Sequence, residues 1–408
     1  MGFLAILSIY IKEMLFSILA VFGIDKSSGN YMQVVYIAMT AICVLTFLYQ
    51  MMFKLNISKN EIGMIFAFGF LLVAFLFIPR TFYRNAGPAY QAQLLTAFSS
   101  VLSAFLMGIL VKRGNFINSM AKAAPWFVII NTICSTFVTF NSTGKTSGGY
   151  LKDAGGFNYQ DLSYFIAFTF ALNIFYIKNQ HKIEDNSIFK RPGWNTFFQC
   201  LIPVHMLSVM LAGGRGAFVL VGILSVYYFI MDSSDLGKNV KNFILMFIAV
   251  AVLFMILPSA NLEYSGFERI LSLLSGSGDA GRADLRSKAL QAFLYNPIFG
   301  NGSGSVFVFT KTYSHNIFTD IMAEYGILGL IIISVILIKL VKKLFGSVRE
   351  NPCNHLIVVI FIGCFLHLSF SGYYLGSPSF WFVLGYSFSS ISEKPQSKKF
   401  ISKYVKIH

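Results

Sequence analysis

Residues 318–341 read FTDIMAEYGILGLIIISVILIKLV, an apolar run longer than the roughly 20 residues a helix needs to cross a bilayer. Stretches of the same kind recur near 3–22, 31–53, 62–79, 90–111, 124–140, 161–177, 196–213, 216–231, 243–258, 355–372 and 377–391. Bulk composition agrees, with 56% hydrophobic and 12% charged residues over 408 positions and a mean hydropathy of +0.66. The expected fold class is therefore an all-α polytopic membrane protein with about 12 transmembrane helices and a partly helical large outer loop. Four segments organise the chain: spans one to nine with short loops (1–258), a large polar loop (259–313), spans ten to twelve (314–391) and a basic tail (392–408). Lys12 and Glu13 sit inside the first stretch, where charge is costly, so that span is expected to be tilted, paired or partly interfacial.

Orientation follows from where the bases fall, because short cytoplasmic loops collect Lys and Arg. With the N-terminus inside, 20 of the 32 bases lie in cytoplasmic segments, 11 in outer segments, and Lys12 in a span. Both termini are then cytoplasmic. The net charge of +15 is accounted for by topology and contact with anionic lipid, with no nucleic-acid partner implied. Six of the outer bases are arginines (Arg80, Arg84, Arg215, Arg269, Arg282 and Arg286), against Arg113, Arg191 and Arg349 inside. Arginine recognises phosphate through two parallel hydrogen bonds, so the outer face is expected to handle an anion. Arg80 and Arg84 are candidates to contact lipid phosphate or sugar, with interfacial anchoring as the alternative.

The five cysteines are scattered without paired spacing, which suggests neither a disulfide framework nor a zinc site. The first stretch lacks a basic start and a clear cleavage site and is expected to stay in the chain. Internal repeats of the kind that mark many transporters are not visible. Gly144-Lys145-Thr146 resembles the end of a phosphate-binding loop but lacks the earlier glycine. Gly300-Asn301-Gly302-Ser303-Gly304 follows a helix instead of a strand, lacks dinucleotide spacing, and is expected to be a flexible turn beneath a substrate.

The polar loop runs from Ser259 to Tyr313 and leads straight into Ser314-His315-Asn316. Residues 279–295 predict a helix, closed by Asn296-Pro297 because the residue before proline leaves helical space. Arg282 and Arg286 stand four apart on it. Like charges at that spacing repel, and near a helix N-terminus they favour a bound anion, phosphate above all; pairing with Asp279, Glu263 or Glu268 is the alternative. Arg215 lies in Leu211-Ala212-Gly213-Gly214-Arg215-Gly216-Ala217 between two spans, where glycines let a ligand approach the backbone and a charge points to function.

Ser314 is the expected N-cap of the tenth span. Asn316, Asp320 and Glu324 then recur every four residues along one side of it, as candidate substrate contacts. His315 stands at its outer mouth as the candidate general base: an unperturbed histidine is largely neutral at pH 7, and nearby arginines favour that state. His181, His205, His355, His367 and His408 lack comparable partners and are expected to be structural.

Three strings together carry a family resemblance. They are Gly214-Arg215-Gly216-Ala217 opening a span, Gly281-Arg282 leading through a helix to Asn296-Pro297-Ile298-Phe299-Gly300-Asn301-Gly302, and Ser314-His315-Asn316 leading to Glu324-Tyr325-Gly326-Ile327-Leu328-Gly329. Over roughly residues 211–330 the chain resembles the O-antigen polymerase and ligase superfamily of bacterial envelope glycosyltransferases. The resemblance implies a GT-C-type membrane fold in the inner membrane, a periplasmic active site, and glycans carried on undecaprenyl pyrophosphate as substrates. Transfer from such a donor needs positive charge for the leaving pyrophosphate and a base for the acceptor hydroxyl, so Arg215 and Arg282 are expected to clamp the pyrophosphate, Arg286 to assist and His315 to orient or deprotonate the hydroxyl as catalytic residues, with neither metal nor cofactor required. A chain-length regulator protein is a further expected partner. Polymerase is the expected activity; ligase, capsule polymerase and a flippase of lipid-linked sugars are the alternatives.

Overall fold

The computed structural model describes residues 1–22, 31–54, 100–142, 159–180, 193–231 and 280–391, with a few short stretches and isolated residues between them. The expected spans at 62–79 and 243–258 (apart from isolated positions), Arg80, Arg84, Arg269 and the basic tail lie outside the described residues. The described helices are α1 (Gly2–Val21), α2 (Tyr31–Phe53), α3 (Leu102–Arg113), α4 (Ile117–Ser142), α5 (Tyr159–Asn179), α6 (Trp194–Ala212), α7 (Arg215–Met231), α8 (Ala280–Tyr295), α9 (Ser305–Thr310), α10 (Ile317–Glu350), α11 (His355–Phe370) and α12 (Pro378–Ile391). A two-residue antiparallel pair, β1 (Thr146–Ser147) with β2 (Tyr150–Leu151), interrupts the helical series.

Five of the described helical segments are long and apolar enough to cross a bilayer: Gly2–Val21, Ile117–Asn141, Trp194–Ala212, Ile317–Glu350 and Pro352–Phe370. Such helices are stable in lipid because every interior backbone group is paired within the segment. The chain is thus an all-α, multi-pass membrane protein. In α10, Ile327, Ile331, Ile332, Val335 and Ile338 stay exposed, the stripe expected to face acyl chains.

Specific contacts order the helix ends. The Gly2 amide donates to Ser119 Oγ at 3.1 Å, Asn351 Nδ2 donates to Asn118 Oδ1 at 3.2 Å, and Tyr227 near the end of α7 bonds His355 at the start of α11 at 2.8 Å. These contacts gather the starts of α1, α4 and α11 with the ends of α7 and α10. Lys112, Arg113, Lys122, Lys178, Lys342, Lys343 and Arg349 belong to helix termini at this basic end. The opposite end collects the starts of α5, α7 and α10 and the ends of α6 and α11.

The tenth expected span, 318–341, falls within α10. The helical segment extends over Ile317–Glu350 but breaks at Gly326, whose φ of 65° and ψ of −160° lie in a region open essentially to glycine alone. α1 carries a milder break at Tyr10 (φ −129°, ψ 24°), whose ring stacks on Phe168 of α5 with centroids 3.7 Å apart.

α3 and α12 run antiparallel in close contact through two glycines. A Cβ on Gly108 would stand 2.1 Å from Phe382 O, and one on Gly385 would stand 2.1 Å from Phe105 O. Small residues at such crossings let backbones approach where lipid offers no competing hydrophobic force. Gly385→Val should therefore destabilise the protein by about 3 kcal/mol through overpacking, read as a lowered melting temperature in detergent. An unchanged melt would mean that the two helices do not meet this way.

Candidate active site

At Gly213-Gly214-Arg215 one helix ends and the next begins almost without a loop. Gly213 takes the left-handed conformation (φ 82°) that terminates α6, and the Gly214 amide donates to Ser163 Oγ of α5 at 3.0 Å. A Cβ on Gly216 would fall 2.0 Å from the Tyr164 hydroxyl, so a side chain there would displace the tyrosine. The glycines thus seat the start of α7 on the first turns of α5. Arg215 is the first residue of α7 and is half-buried. Its cationic side chain and the first-turn amides, which have no helical acceptor, put positive potential at one place.

His315 sits on the chain entering α10 with φ 61°, a left-handed backbone that costs a non-glycine residue about 1 kcal/mol or more. Its ring is fixed on two sides. Nδ1 lies 3.1 Å from the Ser371 carbonyl oxygen, which can only accept, so Nδ1 carries the proton and Nε2 carries the lone pair. The Tyr313 ring packs against the imidazole at 4.5 Å between centroids. This is the tautomer a base needs, imposed by the end of α11.

Helix α8 confirms the element expected over 279–295 and extends over Ala280–Tyr295. Ala289 and Ala292 are fully buried on its inner face; Arg282 and Arg286 share that face and are half-buried. The outer face carries a solvent-exposed ion pair, Lys288 to Asp284 at 2.6 Å. Burial pushes the Tyr313 phenol above its ordinary pKa, with Asp161 and Asp320 acting in the same direction and the Arg282 charge opposing them. Arg282 therefore bears on the tyrosine that touches His315, and it is also within electrostatic reach of Tyr164. Arg215 opens α7 beside Tyr164, Arg282 bears on Tyr164 and Tyr313, and Tyr313 packs on His315, so the three segments border the same tyrosines at the end of the bundle opposite the basic one.

The remaining sequence candidates have partners within the protein. Asn316, not Ser314, is the N-cap of α10: its Oδ1 accepts from the amides of Phe318 at 3.0 Å and Thr319 at 3.3 Å. Its Nδ2 donates to Ser369 O at 3.3 Å, tying α10 to α11. Asp320 Oδ1 accepts from the Ser314 amide at 2.8 Å. Glu324 is fully buried, with Oε1 accepting from the Gly304 amide at 3.0 Å and the Tyr373 hydroxyl at 2.8 Å, and Oε2 from the Tyr374 hydroxyl at 2.7 Å.

The glycine-rich turn is likewise tightly packed, which corrects the flexible turn expected from sequence. Gly300, Gly302 and Gly304 all have positive φ. The Asn301 amide donates to Ala323 O at 3.0 Å and the Gly302 amide to Glu324 O at 2.8 Å. On the far side of the break, the Ile327 and Leu328 amides donate to Pro297 O at 2.8 Å and Ile298 O at 3.3 Å. The turn thus replaces the intrahelical hydrogen bonds that Gly326 interrupts.

Several neighbours of the site carried no clear sequence signal. His367, expected to be structural, packs its ring on Tyr164 at 4.3 Å and lies within electrostatic reach of Asp161, Lys12 and His315. Tyr373 stacks on Tyr313 at 5.8 Å and 27°. The usable clues were an acid opening the sixth span, a tyrosine two residues before His315, and a tyrosine pair after the eleventh span. His205 and His355 are structural as expected, bonded to Thr132 at 2.7 Å and Tyr227 at 2.8 Å. Among the described residues, no group of three or more His, Cys, Asp or Glu side chains is placed to hold a metal ion.

The described residues thus set two arginines and a histidine toward one end of a multi-pass helical membrane protein. Residues 200–334, which include Arg215, Arg282, Arg286 and His315, match the family described as O-antigen ligase. The ComP-specific O-oligosaccharyltransferase of Acinetobacter baylyi is 24% identical over 312 residues, covering 69% of this chain and 54% of the relative. The chain thus spans about half the length of that curated relative. No solved structure matches the chain. Together the two matches support the O-antigen ligase and polymerase superfamily.

Replacing Glu324 by Ala would leave two phenols and one buried amide without their acceptor, a loss of about 3 kcal/mol. Gly326→Ala would put a Cβ 2.4 Å from Ile298 O and should cost a similar amount, about 3 kcal/mol. Both variants should melt at lower temperature than wild type in detergent; wild-type melting would mean that the turn does not hold the break.

Proposed function

We propose that this protein is a repeat-unit polymerase of the O-antigen type. It transfers glycan from undecaprenyl pyrophosphate to a hydroxyl of another lipid-linked repeat unit, at the periplasmic face of the inner membrane. The observation that carries the proposal is the convergence of Arg215, Arg282 and a His315 whose Nε2 holds the lone pair, at the end of the bundle away from the helix-terminal lysines. Because basic helix ends mark the cytoplasmic side, this arrangement supports a periplasmic site and cytoplasmic termini. We assign the full chain about a dozen spans in a GT-C-like arrangement, counting the apolar stretches at 62–79 and 243–258 that lie outside the described residues.

The reaction breaks the bond between the anomeric carbon and the pyrophosphate oxygen, and the electron pair leaves with the pyrophosphate. Arg215 and Arg282 offset the charge that grows there, with Arg286 one helical turn away. Removing one such preorganised partner typically costs 10²- to 10³-fold in rate, about 3–4 kcal/mol. The acceptor oxygen bonds the anomeric carbon on the opposite face, inverting it, while its proton passes to His315 Nε2. The Ser371 carbonyl, through Nδ1–H, favours the protonated imidazole that results. Leu294, Tyr295, Ile298 and Phe299, exposed at the end of α8 and just beyond it, offer an apolar surface to the lipid carrier.

A ligase that moves finished glycan onto lipid A-core uses the same donor chemistry, and the description of the matched family favours it. A glycan ladder from cells lacking the protein separates the two. A single repeat unit on core supports polymerase, and bare core with polymer retained on the carrier lipid supports ligase. A chain-length regulator is a partner for the polymerase case alone. His315→Ala, Arg215→Ala and Arg282→Ala, each present at normal levels in the membrane, should reduce transfer by at least about 10²-fold, while excess chelator should leave wild-type activity intact. Full-length polymer made by the His315 or Arg215 variant would overturn the proposal.

A further inference from the structure

Lys12 and Asp161 form an ion pair at 3.4 Å between the middle of α1 and the first turn of α5. Charged residues of membrane helices ordinarily face the bundle interior or a water-filled cavity. Both side chains keep part of their surface open, 42% for Lys12 and 29% for Asp161, so the pair is not sealed within protein. The break at Tyr10, two residues before Lys12, interrupts the helix where this cation leaves it.

The neighbours of the pair are those of the active site. Asp161 lies two residues before Ser163, whose hydroxyl holds the Gly214 amide at 3.0 Å, and three before Tyr164, which lies against Gly216 and the His367 ring. Asp161 also bears on Tyr313, the ring 4.5 Å from His315. From α1, then, a further cation pairs with the acid that opens α5 beside Ser163 and Tyr164, although no sequence motif pointed to it.

We propose that Lys12 is a third donor-binding cation, held by Asp161 between turnovers and transferred to a phosphate oxygen when the pyrophosphate arrives. The proposal rests on the glycan-transfer function above. Lysine suits the task because its compact charge sits on a flexible four-carbon stem and can exchange one anionic partner for another while the arginines stay fixed on α7 and α8. Asp161 partners the cation between turnovers.

A charge swap distinguishes this role from a purely structural pair. Lys12→Met should raise the KM for lipid-linked donor, and the inhibition constant of inorganic pyrophosphate, by about tenfold with little change in kcat; Lys12→Arg should recover most of both. The double variant Lys12→Asp with Asp161→Lys should restore the wild-type melting temperature without restoring donor KM. Recovery of KM by the swap, or an unchanged KM and pyrophosphate inhibition in Lys12→Met, would overturn the proposal. If the swap does not fold, the pyrophosphate comparison of Lys12→Met with Lys12→Arg decides alone. His315→Ala run alongside separates the two levels: lost turnover there with unchanged donor affinity in Lys12→Met sinks only the Lys12 role, whereas full turnover in His315→Ala sinks glycan transfer itself.

Discussion

The buried Glu324 carboxylate, with three donors around it, is the interaction on which the described site depends. A carboxyl group in the interior is tolerable only when its oxygens are satisfied, and here the three donors come from two places in the chain: the Gly304 amide and the adjacent hydroxyls of Tyr373 and Tyr374. One side chain therefore joins the glycine turn, the first part of α10 and the segment after α11. The break at Gly326 makes this geometry available, because it frees backbone groups that the turn then pairs. Broken helices are found at membrane depth where other parts of the protein pair the freed backbone groups, as Pro297 to Gly302 do here.

From Glu324 the order propagates to the chemistry through aromatic contacts. Tyr373 is bonded to Glu324 and stacks on Tyr313, and Tyr313 packs against His315, whose Nδ1 is held in turn by the Ser371 carbonyl. The strained φ of His315 persists because these contacts and the Asn316 cap over-determine it. Arg215 is placed independently, through the fit of Gly214 and Gly216 on Ser163 and Tyr164. Tyr164 also packs on the His367 ring of α11, so α5 links the support of Arg215 to the helix whose end holds His315.

Much of this was legible in the chain. Hydropathy located α1, α2, α4, α5, α6, α7, α11 and α12 to within a few residues at most ends, since a span is a local property of about 20 residues. Arg215 stood out because almost no loop separates its two spans, Arg282 because it stands four residues from Arg286 near a helix start, and His315 because it opens a span. What escaped was nonlocal. Asp320 and Glu324 had the spacing of substrate contacts, but whether a carboxylate faces a ligand or a buried tyrosine depends on what packs opposite, and Tyr373 lies 49 positions from Glu324. Ser314 had the residue type of a cap and lost that role to Asn316, which bridges α10 and α11. Gly326 resembled its neighbours in hydropathy, so the break was invisible until the turn that pairs it was in place. Lys12 was marked only by its cost, and its partner came from a helix 149 residues away.

The central claim is that the site cleaves a lipid pyrophosphate and makes a glycosidic bond. The most direct measurement uses purified protein in liposomes with lipid-linked donor and acceptor, following the carrier lipid and the glycan together. The account predicts one undecaprenyl pyrophosphate released for each new glycosidic bond, with the anomeric configuration inverted. Movement of intact donor across the bilayer without cleavage, or bond formation with retained configuration, would contradict it.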